Sequence, residues 1–380
     1  MFTTQQIERF KTIETPFYFY DLELLQKTLD AIKKAAPKEY HIHYALKANS
    51  NPELLKLIKQ GGFGADCVSG NEVKRAVEMG FASKDIVFAG VGKSDAEINY
   101  ALDKDIFCFN VESTAELTVI NELAKAKNKT AKVALRINPN VDAHTHKYIT
   151  TGLEENKFGI NPYEFDVVLN LIKTLPNIQL IGLHFHIGSQ ITSLTPFKNL
   201  CTRVNEINQW FIEKGYLLPN INLGGGLGIN YQEPDNASIV DFEAYFNVFK
   251  QFLELKPSQA VHFELGRAII AQCGSLISRV LYIKNGINTN FAILDAGMTE
   301  LIRPALYQAY HKIENLTNTT TPNVKYDVVG PICESSDCFG KAVLLPETKR
   351  GDLIAIRSAG AYGEVMSSSY NLRDLAKTIC

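Results

Sequence analysis

Eight short apolar runs, each followed by a segment of helical period, recur between residues 41 and 268: "HIHYALKAN", "GADCVS", "DIVFAG", "IFCFNVE", "KVALRINPN", "QLIGLHFHIGS", "NINLGGGLGI" and "AVHFELGRA". A parallel sheet covered on both faces has no solvent side, so its strands read as continuous hydrophobic sequence joined by helical crossovers. Eight such pairs predict a (β/α)8 barrel over residues 20–268. The intervening segments carry helix punctuation: Pro52 suits a first turn, Gly61 a C-terminal cap, and Asn71 is the expected N-cap of the following helix. After residue 269 the pattern changes. "GSLISRVLYIKNG", "NFAILDAGM", "YDVVGP" and "DLIAIRSAGAYG" follow one another with few helices between them. A second, mainly β domain of residues 269–380, completed by residues 1–19 with "TPFYFYD", is therefore expected, an α/β plus β architecture. The segment "NPNVDAHTHKYITTGLEENKFG" is long for a βα loop, and long barrel loops are often functional; its His144 and His146 read as solvated.

Composition narrows the class of protein. With 39 Lys plus Arg against 41 Asp plus Glu, the net charge is −2 and no basic block is present to read a phosphate backbone, so nucleic acid is not an expected partner. The seven cysteines are scattered without C-x-x-C spacing, which points to reduced thiols rather than a disulfide framework or a zinc site. No stretch approaches the roughly 18 apolar residues of a spanning helix, and the N-terminus lacks a signal-peptide pattern. A soluble, cytoplasmic protein without a metal is expected.

Barrel enzymes carry their chemistry at the C-terminal ends of strands. Four such ends are polar here. Lys47 closes the first strand, where a lysine either snorkels to solvent or serves as a nucleophile. The seventh ends in "GGGLG", Gly224 to Gly228, which suits a tight turn or an anion-binding nest. The sixth ends in "HFHIGS": His184 and His186 share a face, with no third metal ligand of the usual spacing, and Ser189 lies just beyond. The eighth ends in "FELGR", where Glu264 either pairs with Arg267 or accepts a hydrogen bond from a protonated ring nitrogen. An amine, an anion cradle, a flat ring and a carboxylate are the parts that pyridoxal 5'-phosphate requires.

The set "YALKAN", "HFHIGSQ", "GGGLG", "ELGR", "LDAGMTELIRPALYQAYH", "GPICESSD" and "GAYGEVMSSSYN" resembles, in this order and over nearly the whole chain, the diaminopimelate decarboxylases, of the alanine-racemase-like class of pyridoxal enzymes. The resemblance implies decarboxylation of meso-2,6-diaminopimelate to L-lysine and carbon dioxide, the last step of lysine biosynthesis. Lys47 would carry the cofactor as an imine, and His186 would stack on its ring. Ser189, Gly225, Gly226 and Tyr362 would hold its phosphate, with Gly266 and Arg267 of "ELGR" beside them. By the same resemblance Glu264 keeps the pyridine nitrogen protonated, which makes the ring a stronger electron sink; racemases of this fold have arginine there.

Arg303 and Tyr307 in "RPALY", with Glu334, Arg267 and Tyr362, are the implied contacts to the far amino and carboxylate groups of the substrate. A guanidinium can grip that carboxylate bidentately. Cys333 is the implied proton donor, supplied with Glu334 by the second subunit of a homodimer. Asp66 and Arg136, at further strand ends, either order the lysine or the cofactor hydroxyl or form structural ion pairs. Two features depart from the family pattern: Leu265 stands where many members have proline, and the chain is compact for the family. The alternative is a related decarboxylase acting on carboxynorspermidine, ornithine or arginine; a racemase and a non-catalytic carrier of the cofactor are further readings.

Overall fold

In the computed structural model, which describes residues 2–141 and 157–380, the eight apolar runs become eight parallel strands of one closed barrel. After a first strand, β1 (Phe17–Tyr20), the barrel strands follow in chain order as β2 (Tyr40–Ala45), β3 (Gly64–Cys67), β4 (Ile86–Phe88), β5 (Cys108–Val111), β6 (Ala131–Ile137), β7 (Ile178–Phe185), β8 (Asn220–Asn222) and β9 (Ala260–Leu265). The ring closes where β9 pairs with β2, setting His43 opposite Glu264 and Tyr44 opposite Leu265. Closure leaves no barrel strand with an open edge. His144 and His146 lie outside the described residues.

The helix starts follow local hydrogen-bond chemistry. Asn51 accepts the Glu53 N–H and Pro52 opens the helix Pro52–Gln60, which Gly61 ends. The next helix, Gly70–Glu78, is capped not by Asn71 but by Ser69, whose hydroxyl accepts the Glu72 N–H at 3.2 Å. The start moves two residues earlier because Gly70 fits where a Cβ would sit 2.5 Å from the Glu97 side chain, and its N–H donates to that carboxylate.

By its internal contacts the chain divides into two compact units, one of Met1–Thr28, Ile229–Val240 and Arg267–Cys380, the other of Leu29–Gly228 and Asp241–Gly266. The barrel belongs to the second. Residues 20–28, 229–240 and 267–268 fall within the span 20–268 read from the sequence and group with the first unit. That unit is built on β10 (Gly274–Asn285), β11 (Asn290–Leu294), β12 (Ile313–Asn315), β13 (Val324–Val329), β14 (Cys338–Leu345), β15 (Leu353–Ile356) and β16 (Lys377–Ile379). Its sheet runs β12-β15-β10-β11-β13-β14, and β1 joins it, antiparallel to β10 and parallel to β16. Among the described residues no helix is long and apolar enough to cross a membrane.

Phe10, Phe17 and Phe19 anchor the apolar core beside β1, with Ile277 and Leu353 from the sheet. Phe10 meets both other rings edge-on, at 5.5 and 4.9 Å between centroids. Phe10→Ala removes a fully buried ring and is expected to destabilise the protein by about 3–5 kcal/mol, read from the shift of the urea unfolding curve.

Candidate active site

Strand β2 ends at Ala45, and Lys47 sits in the 3-10 turn Leu46–Ala48 directly after it, at the C-terminal mouth of the barrel. Its Nζ lies 3.1 Å from Asp66 Oδ2 on the neighbouring β3. Asp66 is fully buried, and burial together with the Glu264 charge pushes its carboxyl up to about 6, against the pull of the Lys47 ammonium. Its other oxygen, Oδ1, has no hydrogen-bond partner. A second lysine near this end shows the contrast. Lys93 is buried and donates to the carbonyls of Gly90 and Asn110, both at 2.9 Å, and to Glu116 Oε1 at 2.6 Å. All three ammonium hydrogens of Lys93 are thus committed to acceptors. Lys47 is partly exposed and lies beside a carboxylate whose own charge burial disfavours.

Glu264 occupies the barrel axis. Its Oε1 accepts from Asn110 Nδ2 of β5 at 2.9 Å and from Asn222 Nδ2 of β8 at 2.7 Å, while its Oε2 meets His184 Nε2 of β7 at 3.0 Å. Strand β5 is four places from β9 around the ring in either direction, so this bond crosses the lumen. Burial alone would raise the Glu264 carboxyl, but the adjacent His184 and the Lys47 charge hold it well below the ordinary range. Three of the four lone-pair directions of the carboxylate are filled, which leaves one on Oε2 for a ring N–H.

The glycines after β8 are dictated by close backbone approach. A Cβ on Gly224 would lie 2.2 Å from the Phe185 carbonyl oxygen, and one on Gly225 only 1.9 Å from that of Glu264. Gly226 has φ +106, where a side chain is strained in any case. The Gly225 N–H donates to His186 Nδ1 at 3.3 Å. Burial, then Arg136 and Lys47, keep His186 far below its usual pKa, so it is a neutral, flat ring suited to stacking. His184 and His186, a potential metal pair in the sequence, are thus directed to Glu264 and to the glycine turn. Ser189 lies in the loop between β7 and the helix Thr195–Glu213, and Gly266 directly follows β9.

Arg136, the last of the barrel candidates, is in a buried ion pair with Glu112 at 2.7 Å, and Glu112 also accepts the Gly159 N–H at 2.9 Å. The barrel residues also fit pyridoxal phosphate. Asp66 Oδ1 and His184 Nδ1 are orphaned buried atoms, Glu264 retains an acceptor site, and the glycine turn carries no side chains.

The first unit holds a second polar cluster. Arg303 opens the short helix Arg303–Tyr307, which ends in Tyr307. The Tyr231 hydroxyl accepts from Arg267 Nη1 at 2.6 Å and from Arg303 Nη1 at 2.9 Å. Arg303 Nη1 also lies 2.9 Å from His311 Nε2, and His311 Nδ1 faces the Arg357 carbonyl at 2.8 Å. Burial and Arg303 bring His311 down to about 3, so it is a neutral acceptor for the guanidinium. The Arg267 guanidinium covers the Tyr362 ring at 4.8 Å, and Tyr362 itself adopts φ +56. Two buried guanidiniums meeting on one phenol oxygen form a strongly positive receptor. Tyr231 was not singled out from the sequence, because one aromatic in an irregular stretch leaves no periodic signal. Cys333 and Glu334 lie exposed between β13 and β14; Asn371 Oδ1 accepts the Cys333 N–H at 3.1 Å and Tyr370 donates to Glu334 at 2.9 Å.

Residues 22–271 match the family model for the pyridoxal-binding domain of pyridoxal-dependent decarboxylases. A diaminopimelate decarboxylase of Bacteroides thetaiotaomicron is 58% identical over 98% of this chain and 96% of that protein. One of Aquifex aeolicus is 40% identical over 97% of this chain and 87% of its own length. Among solved structures, diaminopimelate decarboxylase from Helicobacter pylori complexed with L-lysine superposes with a TM-score of 0.91 at 41% identity, covering 98% of this chain and 93% of that one.

Because Glu264 is held below its ordinary pKa, its stabilising contribution is present at neutral pH and is lost as the pH falls through the acid range. Asn110→Ala removes one of its three donors and should cost about 1.5–3 kcal/mol at pH 7 in urea unfolding, a difference that shrinks on acidification.

Proposed function

The chain belongs to the diaminopimelate decarboxylases, within the pyridoxal-dependent decarboxylases, and on that premise we propose that it releases carbon dioxide from the D-configured centre of meso-2,6-diaminopimelate to yield L-lysine. The observation that carries the substrate reading is the buried pair Arg267 and Arg303 joined through Tyr231. Two guanidiniums suit a carboxylate at the far end of the substrate, the group that L-lysine retains. A polyamine-pathway substrate such as carboxynorspermidine presents a cation there, which the same pair would repel.

Bound pyridoxal 5'-phosphate supplies the electron sink for the pair left behind when the carboxylate departs. The residues do the rest. Lys47 is the covalent anchor, and Asp66, poised near neutrality, takes up and returns its proton. Glu264 accepts the ring N–H and thereby keeps that nitrogen protonated. His186 stays neutral and stacks, adding no charge beside the ring. Ser189, Gly226 and Gly266 offer hydrogen bonds to the phosphate, Gly225 lets it approach without bulk, and Arg267 and Tyr362 complete that contact. Arg136 holds Glu112 and so steadies the mouth of the barrel. Tyr307 and Glu334 receive the far amino group. Cys333 delivers the proton that replaces carbon dioxide. We assign Cys333 and Glu334 to the site of the partner in a cytoplasmic homodimer; their exposure on the β unit supports this, since a donated residue must project from its own fold.

Carbon dioxide release should require pyridoxal phosphate and occur with meso-diaminopimelate but not with ornithine, arginine or carboxynorspermidine, and borohydride should trap the cofactor on Lys47. Turnover of a polyamine precursor instead, or trapping on another lysine, rejects the assignment. The dimer reading has its own test. Lys47→Ala and Cys333→Ala should each be inactive, and an equal mixture allowed to exchange subunits should recover about a quarter of wild-type activity, because each mixed dimer retains one intact site. No recovery on confirmed exchange places Cys333 in its own subunit's site.

A further inference from the structure

The barrel mouth opposite Lys47 holds a polar chain that the proposed reaction does not use. Near the strand beginnings, His43 Nε2 of β2 faces His262 Nδ1 of β9 at 3.0 Å. The chain runs on from His43 Nδ1 to the Asp85 carbonyl oxygen at 3.0 Å, and from His262 Nε2 to Asn220 Oδ1 at 3.0 Å. Asn220 in turn donates through Nδ2 to the Ile181 carbonyl oxygen at 2.9 Å. Both ends of the chain are carbonyls, which only accept. Its four contacts therefore need four hydrogens. The amide contributes one and each neutral imidazole one, so the neutral chain is one short. Flipping the amide or exchanging tautomers only moves the defect, leaving two acceptors face to face somewhere along the line. One additional proton on the ring pair satisfies every contact.

Desolvation works against that proton: burial and the facing His43 would bring His262 down to about 2, and burial lowers His43 as well. Two effects oppose desolvation. A buried pair of acceptors forced together costs about 1–3 kcal/mol, and an oxyanion bound over the rings adds a counter-charge that favours their charged form, so the extra proton is taken up with the anion.

This pair faces a cavity of about 410 Å3 at the N-terminal mouth. His41 stacks on His262 with centroids 4.7 Å apart, and Phe107 lies against the same ring at 5.2 Å. Lys33, Lys38 and Lys84 line the cavity, against one lining carboxylate, Asp85. A metal is the wrong occupant, since all four ring nitrogens of His43 and His262 already face hydrogen-bond partners. We propose that this mouth of the barrel binds a small oxyanion, seated among the three lysines over a His43–His262 pair that carries one proton more than two neutral rings.

The holoenzyme is the material for the test, since its bound cofactor already fills the phosphate site. Selenate soaked into its crystals near pH 6 should give a selenium anomalous peak within hydrogen-bonding distance of the lysine Nζ atoms at this mouth. In a parallel arm 4-iodobenzoate, located by iodine, distinguishes a carboxylate on a flat ring from a free tetrahedral oxyanion. Sulfate titrated calorimetrically should bind at least about tenfold more weakly near pH 8 than near pH 6, a step that ammonium groups, which ordinarily titrate near pH 10, do not produce. Lys38→Ala with Lys84→Ala, both exposed positions, should abolish this site with lysine formation unchanged, whereas any sulfate on Arg267 and Arg303 survives those substitutions. His262→Gln should remove the pH step. An anion peak absent from this mouth in both arms, or sulfate affinity indifferent to the lysine substitutions, overturns the site. A pH step that persists in His262→Gln overturns the charged pair.

Discussion

Glu264 carries a negative charge inside the barrel, where an unpaired carboxylate would cost several kcal/mol. Its three donors come from β5, β7 and β8, so the charge is tolerated only when the ring is closed and the strands are in register. Barrel closure and site assembly are thus one condition. That accounts for a lumen lined with asparagine, histidine and carboxylate where barrels of this kind usually stack branched aliphatic side chains. The aliphatic residues lie instead on the strand faces directed away from the lumen, as with Val261, Phe263 and Leu265, which alternate with His262 and Glu264 and are buried.

The cations around that charge are sorted by how many hydrogens their surroundings consume. Lys93 is saturated by two carbonyls and a carboxylate and can only be a strut. Lys47 faces Asp66, whose carboxyl burial pushes up to about 6, so this pair is the less firmly ionised of the two. In the other unit Arg267 and Arg303 both donate to the Tyr231 phenol oxygen. The barrel thus concentrates the groups suited to holding a cofactor, and the β unit those suited to holding an acidic substrate.

Much of this was legible in the residues themselves. The eight strands were located by their apolar runs, because burial on both faces leaves an unbroken hydrophobic signature. In the β unit β10, β11, β13 and β15 were recognisable, but β12, β14 and β16 were not: two are three residues long, and β14 is half exposed, so neither length nor a continuous apolar run marks them. The start of the helix at Gly70 was misplaced by two residues, since Ser69 and Asn71 are both good caps and only the contact with Glu97 decides between them.

For the site, the order of residues limits which chemistry is possible: a lysine, a glycine turn, a histidine and a glutamate at strand ends are covalent facts of the chain, and their order carries the family resemblance. Their partners were decided by the tertiary structure alone. Asn110, Asn222 and His184 converge on Glu264 from strands up to about 150 residues away, 154 positions in the case of Asn110, and Tyr231 joins two arginines 36 and 72 residues distant. Hydrogen bonds act through space over about 3 Å, whereas a sequence pattern records only neighbours along the chain, so which buried charge is balanced by which donor is settled only once the barrel has closed.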